Sequence, residues 1–528
     1  MKNTTKAAYL FLFFLLAKSL VHAEEHAEKP VLQASQTKSL WYKEAQARLV
    51  EARKQLPILS RAKNIVLFVG DGMGVATVTA ARIHEGQQNG KTGEEHSLSF
   101  EKFPHLALTK TYNTDMQVPD SAGTATAMLS GVKTRAGILG MDETIDVTKP
   151  EECADQSKHV LGLTELAEMA GMATGVISTA RITHATPAAA FSHSPSRNWE
   201  HDGQVPEAAK KVGCKDLARQ LIDFPYGNGI DVVLGGGRSM FQPKGTKNPE
   251  GKQVLPVSFS SGGGKRTDGV DLIEVWKEKY PEGAYVWNRA QFDAIDASQV
   301  SHLFGLFEDS HLEYELDRHL DAAGEPSLTD MTVKALEILQ KDPDGFFLLV
   351  ESGRIDHAHH GSNAARALQD TIELSNAISA VAERTDINDT LIVVTADHSH
   401  TLTISGYTKR GAPILGLTNK GAGVGFLLLD EPALAMDGKA YTILGYANGP
   451  AAVRGERPDL TNVDTRKPDY RQQSLVPLGL ETHSAVDVAI YARGPHAHLF
   501  NGTVEQNYIF HVMELASGLL ERVKKNME

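Results

Sequence analysis

Asn64-Ile65-Val66-Leu67-Phe68-Val69, closed by Gly70-Asp71-Gly72-Met73-Gly74, decides the fold. An apolar run this short, with no polar alternation, suits a strand buried on both faces. Five more runs share its character: Thr174–Ser178, Asp231–Leu234, Phe346–Val350, Leu391–Val394 and Val486–Tyr491. Helical stretches, Leu161–Ala170, Leu328–Gln340 and Ala364–Glu383, stand between several of them. Strands alternating with helices predict an α/β fold, a doubly wound, mostly parallel sheet with helices on both faces.

Residues 240–310 and 401–478 break that alternation, and they read as insertions at the periphery of a single catalytic domain over 61–525. Ahead of it, residues 24–60 form a charged arm whose part from Ser39 to Leu56 has helical periodicity. The first residues differ again. Lys2 and Lys6 precede an apolar run from Ala7 to Leu16, and Val21-His22-Ala23 offers small residues for cleavage. This is the pattern of a secretory signal peptide over 1–23. Export to a periplasm or outside the cell is therefore expected, with no membrane anchor. In such a compartment the two cysteines, Cys153 and Cys214, read as one disulfide.

The chain has 528 residues and a formal charge of −13, which argues against a nucleic-acid surface. Excess negative charge sits awkwardly with a phosphate ligand unless some carboxylates hold divalent cations.

Four of the apolar runs end in such groups. Asp71 follows the first, Glu351 with Asp356 and His360 follows Phe346–Val350, Asp397 and His398 follow Leu391–Val394, and the run from Val176 leads to His184 and Thr186. In doubly wound sheets, ligands gather beyond the carboxyl ends of the strands. An Asp after a strand is also an ordinary cap or turn residue, so the specificity lies in the joint pattern, which suits zinc and magnesium. Pro119-Asp120-Ser121-Ala122-Gly123-Thr124-Ala125-Thr126-Ala127 opens a small-residue helix. There Ser121 is either a cap or a nucleophile set where a helix N-terminus favours phosphate.

That string, with Gly70-Asp71-Gly72-Met73-Gly74, Thr395-Ala396-Asp397-His398-Ser399-His400 and Glu481-Thr482-His483, resembles the alkaline phosphatases, closest to their animal-type branch. The resemblance covers nearly all of residues 60–520. It implies hydrolysis of phosphate monoesters through a phosphoserine at Ser121, with Arg197 binding the phosphate. It also implies two zinc ions, one on Asp71, Asp397 and His398, the other on Asp356, His360 and His483. A magnesium ion would share Asp71 and take Thr186 and Glu351, with His184 and His357 beside its shell. A calcium site is implied at Glu250, Phe307, Glu308 and Glu325, a disulfide at Cys153 and Cys214, and a homodimer using residues 39–56 and 401–478. A phosphodiesterase of the same superfamily and a silent metal-stabilised binding protein are the rival readings. A sulfatase is set aside because Ser121 is followed by Ala-Gly-Thr.

Overall fold

The computed structural model describes residues 34–250, 262–422 and 427–528, which fall into two units divided between Leu56 and Pro57. The signal-peptide segment lies outside the described residues. In the first unit, Ser39 caps a helix over Leu40–Ala52, and that helix buries none of its residues. Leu40, Trp41, Leu49 and Val50 are all more than half exposed.

The second unit is built on a ten-stranded sheet. Eight of its strands come first in the chain: β1 (Asn64–Gly70), β2 (His105–Lys110), β3 (Ala173–Arg181), β4 (Val232–Gly236), β5 (Ala284–Val286), β6 (Leu303–Leu306), β7 (Phe346–Ser352) and β8 (Thr390–Ala396). Two more, Val488–Arg493 and Thr503–Glu505, complete it. The spatial order is Thr503–Glu505, β2, Val488–Arg493, β8, β1, β7, β3, β4, β6, β5. Only Val488–Arg493 runs antiparallel to its neighbours. The run read from Val486 thus supplies a strand whose opposite direction hydrophobicity does not encode.

Every residue of β1, β7 and β8 is buried, as continuous apolar runs require when both faces are covered. Odd and even positions of β1 feed different cores. Ile65, Leu67 and Val69 join one with the Ser121–Ser130 helix, and Val66 and Phe68 join the other with the Leu328–Leu339 and Ala364–Arg384 helices. The last helix is strongly amphipathic and buries fourteen residues, so it anchors that face.

Residues 240–310 differ from the expectation of a separate peripheral fold. β5 and β6 extend the main sheet at its edge beside β4. Residues 401–478 do carry small sheets of their own, pairing Leu402–Ile404 with Leu444–Gly449 and Asn419–Ala422 with Leu427–Pro432. Cys153 and Cys214 are joined as a disulfide, packed with Trp199, Val205 and Ala209.

Candidate active site

The four strands whose ends carry metal-binding groups are neighbours in the sheet, in the order β8-β1-β7-β3. Strand register brings the polar ends to one level. Glu351 on β7 pairs with Val69 on β1 and with Ser178 on β3, and Val69 pairs with Thr395 on β8. Asp71 and Asp397 leave the sheet one residue after β1 and β8 end. Their convergence is a direct result of parallel pairing.

Asp71, Asp397 and His398 present ligand atoms within 4.8 Å of one another, all fully buried. Neither oxygen of Asp71 meets a hydrogen-bond donor among the described residues. Asp397 Oδ1 accepts from the Gly72 and His398 N–H groups at 2.9 and 2.8 Å, whereas Oδ2 is left unpartnered. Gly72 is required here. Its φ is +70°, and a Cβ would come within 2.4 Å of the His400 ring. Burial and the neighbouring Asp397, Asp356 and Glu351 carboxylates push Asp71 well above the ordinary carboxylate range. A buried carboxylate with two orphaned oxygens is costly unless a cation satisfies it. The donor set of two carboxylates and an imidazole fits zinc.

A second group forms around Asp356 on the Arg354–His360 helix. Asp356 Oδ1 lies 3.2 Å from His360 Nε2 and 3.3 Å from His483 Nε2. The His360 and His483 Nε2 atoms are themselves 3.2 Å apart. His360 Nδ1 donates to the Glu481 carbonyl and His483 Nδ1 to the Pro119 carbonyl, so both rings turn an Nε2 lone pair inward. Burial would raise Asp356, but His360, His400 and His483 outweigh it and hold the carboxyl well below its usual range. The rings of His398 and His483 stack 3.6 Å apart, which makes the two groups adjacent.

A third set consists of Glu351, whose charge acts on Asp71, and Thr186, which neighbours Glu351. Glu351 Oε1 and Thr186 Oγ1 are buried without a hydrogen-bond partner of good geometry among the described residues, and burial pushes Glu351 up to about 7. An all-oxygen set suits magnesium. His184 and His357 stand beside it with rings 5.3 Å apart.

Ser121 opens the Ser121–Ser130 helix, whose N-cap Asp120 accepts the Ala122 N–H. Its Oγ lies 3.1 Å from His398 Nε2. The Asp120 carboxylate also accepts from Arg197 Nη1 at 2.6 Å and from the Gly137 N–H at 2.8 Å. Arg197 Nη2 meets His184 Nε2 at 3.0 Å. The guanidinium, which has five N–H donors, is thus clamped from two sides.

Several contributors were not singled out by sequence. His400 touches Asp356 Oδ1 at 2.7 Å through Nε2 and the Glu481 carboxylate through Nδ1. Although burial alone would lower it, those two carboxylates push His400 up to about 10. His311 packs 4.1 Å from the His357 ring and takes Arg181 Nη1 at 2.6 Å. The Asp-His-Ser-His string holds a signal for His400; nothing in the sequence marks His311.

The calcium expectation changes in detail. Glu250, Glu308 and Asp321 offer oxygens within 4.8 Å of one another, which adds Asp321, and the buried Glu325 feels the charges of Glu308 and Asp321. Glu325 Oε1 accepts the Glu313 N–H, and the Phe307 carbonyl accepts from Arg238 Nη1.

Fold and site together define a doubly wound α/β hydrolase with a cation-binding centre beside a serine that opens a helix. A family model for alkaline phosphatase matches residues 62–519. The tissue-nonspecific alkaline phosphatase of Gallus gallus is 46% identical over 484 residues, covering 90% of this chain and 89% of that one. Its Homo sapiens counterpart is 45% identical over 462 residues, covering 86% and 84%. The crystal structure of Thermus thermophilus alkaline phosphatase superposes with a TM-score of 0.61 at 24% identity, over 94% of this chain and 99% of that one. The chain belongs to the alkaline phosphatase family and is a metal-dependent phosphomonoesterase.

Proposed function

We propose that phosphate monoesters are cleaved here through a phosphoserine at Ser121. The observation that carries this is the placement of Ser121 Oγ, buried at a helix N-terminus 3.1 Å from His398 and beside unpartnered carboxylates. Asp71, Asp397 and His398 would hold one zinc ion, and Asp356, His360 and His483 a second. Asp71, Thr186 and Glu351 would hold magnesium, with His184 and His357 flanking it. When bound, the zinc pair supplies Lewis-acid stabilisation for the attacking and departing oxygens of an in-line displacement.

The chain's own groups do the rest. Ser121 Oγ forms a bond to phosphorus as the ester oxygen leaves, and the hydroxyl proton ends on the released alcohol. Water then displaces Ser121 Oγ from phosphorus, giving inorganic phosphate and restoring the serine. The first N–H groups of the Ser121–Ser130 helix and its dipole favour the anion. Arg197, fixed by Asp120 and His184, spends its remaining N–H groups on two non-bridging oxygens, a geometry open to a guanidinium and closed to an ammonium. Such pre-orientation lowers the entropy lost on reaching the transition state.

The reading extends to the protein's setting. Export through the signal-peptide segment is supported by the Cys153–Cys214 disulfide, which suits an oxidising compartment. No described helix is long and apolar enough to cross a membrane. Homodimerisation is supported by apolar side chains left exposed on the Leu40–Ala52 helix and by Tyr407, Met436 and Leu475 in the 401–478 region. Calcium would take Glu250, Glu308 and Asp321.

The test is turnover of a chromogenic phosphate monoester beside a matching diester, before and after chelation and readdition of zinc and magnesium. Monoester turnover that falls with chelator and returns with both metals supports the reading. Preference for the diester would move the protein to the phosphodiesterases.

A further inference from the structure

Glu481 lies two residues from His483, is 1% exposed, and is not among the zinc ligands proposed above, although its carboxylate comes within 4.8 Å of His360 and His400 ring nitrogens. Every polar atom it owns is nevertheless spent on the Asp356 site. Its carboxylate takes His400 Nδ1 through Oε2. Oε1 accepts the Thr401 N–H at 2.7 Å and the Thr401 hydroxyl at 2.6 Å. Its main chain grips His360 from both sides, the N–H donating to the His360 carbonyl at 2.9 Å and the carbonyl accepting from His360 Nδ1. The pairing of His483 with His400 and of Ser484 with Ser399 fixes this arrangement across the two strands.

The consequence for His400 is chemical. Each of its ring nitrogens faces a carboxylate, Glu481 on Nδ1 and Asp356 on Nε2. The ring therefore bridges the two carboxylates, and it stands within 4.8 Å of the ligand atoms of Asp356, His398 and His483. It is a donor that pins Asp356 Oδ1 from the side. His360 Nδ1 is taken by the Glu481 carbonyl, which leaves its Nε2 for a cation.

We propose that Glu481 is a positioning residue that presets the Asp356–His360–His483 site, orienting Asp356 through His400 and His360 through its own carbonyl. This rests on the reading of that site as a zinc site. Groups that orient a metal's ligands from behind change affinity by about 10–100-fold when lost.

The experiment uses the metal-loaded protein and follows zinc release to a chromogenic chelator, with total zinc per chain measured beforehand. Parent protein, Glu481→Gln and Thr401→Val are compared. Glu481→Gln keeps the size and the main-chain bonds but removes the carboxylate, and it is expected to speed release of one zinc of the two by about 10-fold or more. Thr401→Val, which removes one of the two bonds to Oε1, gives a smaller increase in the same phase. The metal-free proteins should unfold at nearly the same temperature, which separates positioning from general destabilisation. Unchanged release from Glu481→Gln, or a change matched by an equal loss of metal-free stability, overturns the proposal. Parent protein that takes up no zinc would instead overturn the zinc reading on which it rests.

Discussion

Ser121 Oγ and His398 Nε2 lie 3.1 Å apart although 277 residues separate them in the chain. The contact exists because the Ser121 helix and the end of β8 meet at the same edge of the sheet. His398 is fully buried and held well below its usual range by that burial, with the His483 ring adding to the effect. A neutral imidazole beside the first serine of a helix, backed by Asp71 and Asp397, is a ligand environment and not a surface ion pair.

Arg197→Lys should lower kcat/KM for a phosphate monoester by about 10–100-fold. Hydrogen bonds to charged groups contribute ~1.5–3 kcal/mol, and a lysine keeps the charge but not the fork. Steady-state kinetics with a chromogenic monoester checks this. A loss of less than about 3-fold would mean that the guanidinium geometry is not used.

Asp71→Asn should reduce bound metal more than any other single ligand change, because Asp71 adjoins both the Asp397–His398 pair and the Glu351–Thr186 pair. Elemental analysis of the purified variant should show zinc and magnesium falling together. The fold should survive, since the substitution removes a carboxylate charge that the metal-free protein buries at a penalty.

At the opposite end of the sheet, Glu168 and Asp231 flank the start of β3. Thr174 donates to Glu168 through its hydroxyl and to Asp231 through its N–H. Burial pushes Glu168 up to about 8 and Asp231 up to about 7. A carboxyl raised on folding makes the native state bind more protons than the unfolded chain. The stability this gives is fully present below the unfolded value of about 4.3 and is lost as pH rises through about 8. Glu168→Gln should therefore leave the melting temperature near its parent value at about pH 4 and raise it by about 2–4 °C at about pH 10. Calorimetry at the two pH values reads the difference.

Removing the disulfide as Cys153→Ser with Cys214→Ser opens a loop of sequence separation 61 and should lower stability by about 4 kcal/mol in the chain-entropy estimate. Trp199 packs on that disulfide two residues after Arg197. KM should accordingly rise in the double variant. Urea unfolding and kinetics on the same preparation check both.

Much of this site is legible in the residues. Continuous runs ending in Asp71, Glu351 and Asp397 give the strands and their functional ends together, because parallel pairing leaves no choice about which end carries the groups. What escapes is what depends on pairing between distant segments. Glu481 meets His400 only through the short antiparallel bridge at His483 and Ser484. β5, at three residues, is too short for periodicity to show, and β2 alternates buried with open positions and has no continuous apolar run. Asp321 comes within 4.8 Å of Glu250 and Glu308 although no motif links the three.

The most direct test of the phosphoserine is chemical. The metal-loaded protein is mixed with a phosphate monoester, quenched in acid during turnover, digested and examined by mass spectrometry. Phosphate on the peptide containing Ser121, absent from Ser121→Ala together with at least ~1000-fold of the turnover, is the result expected. Undiminished turnover by Ser121→Ala, or phosphate trapped on another residue, would contradict it.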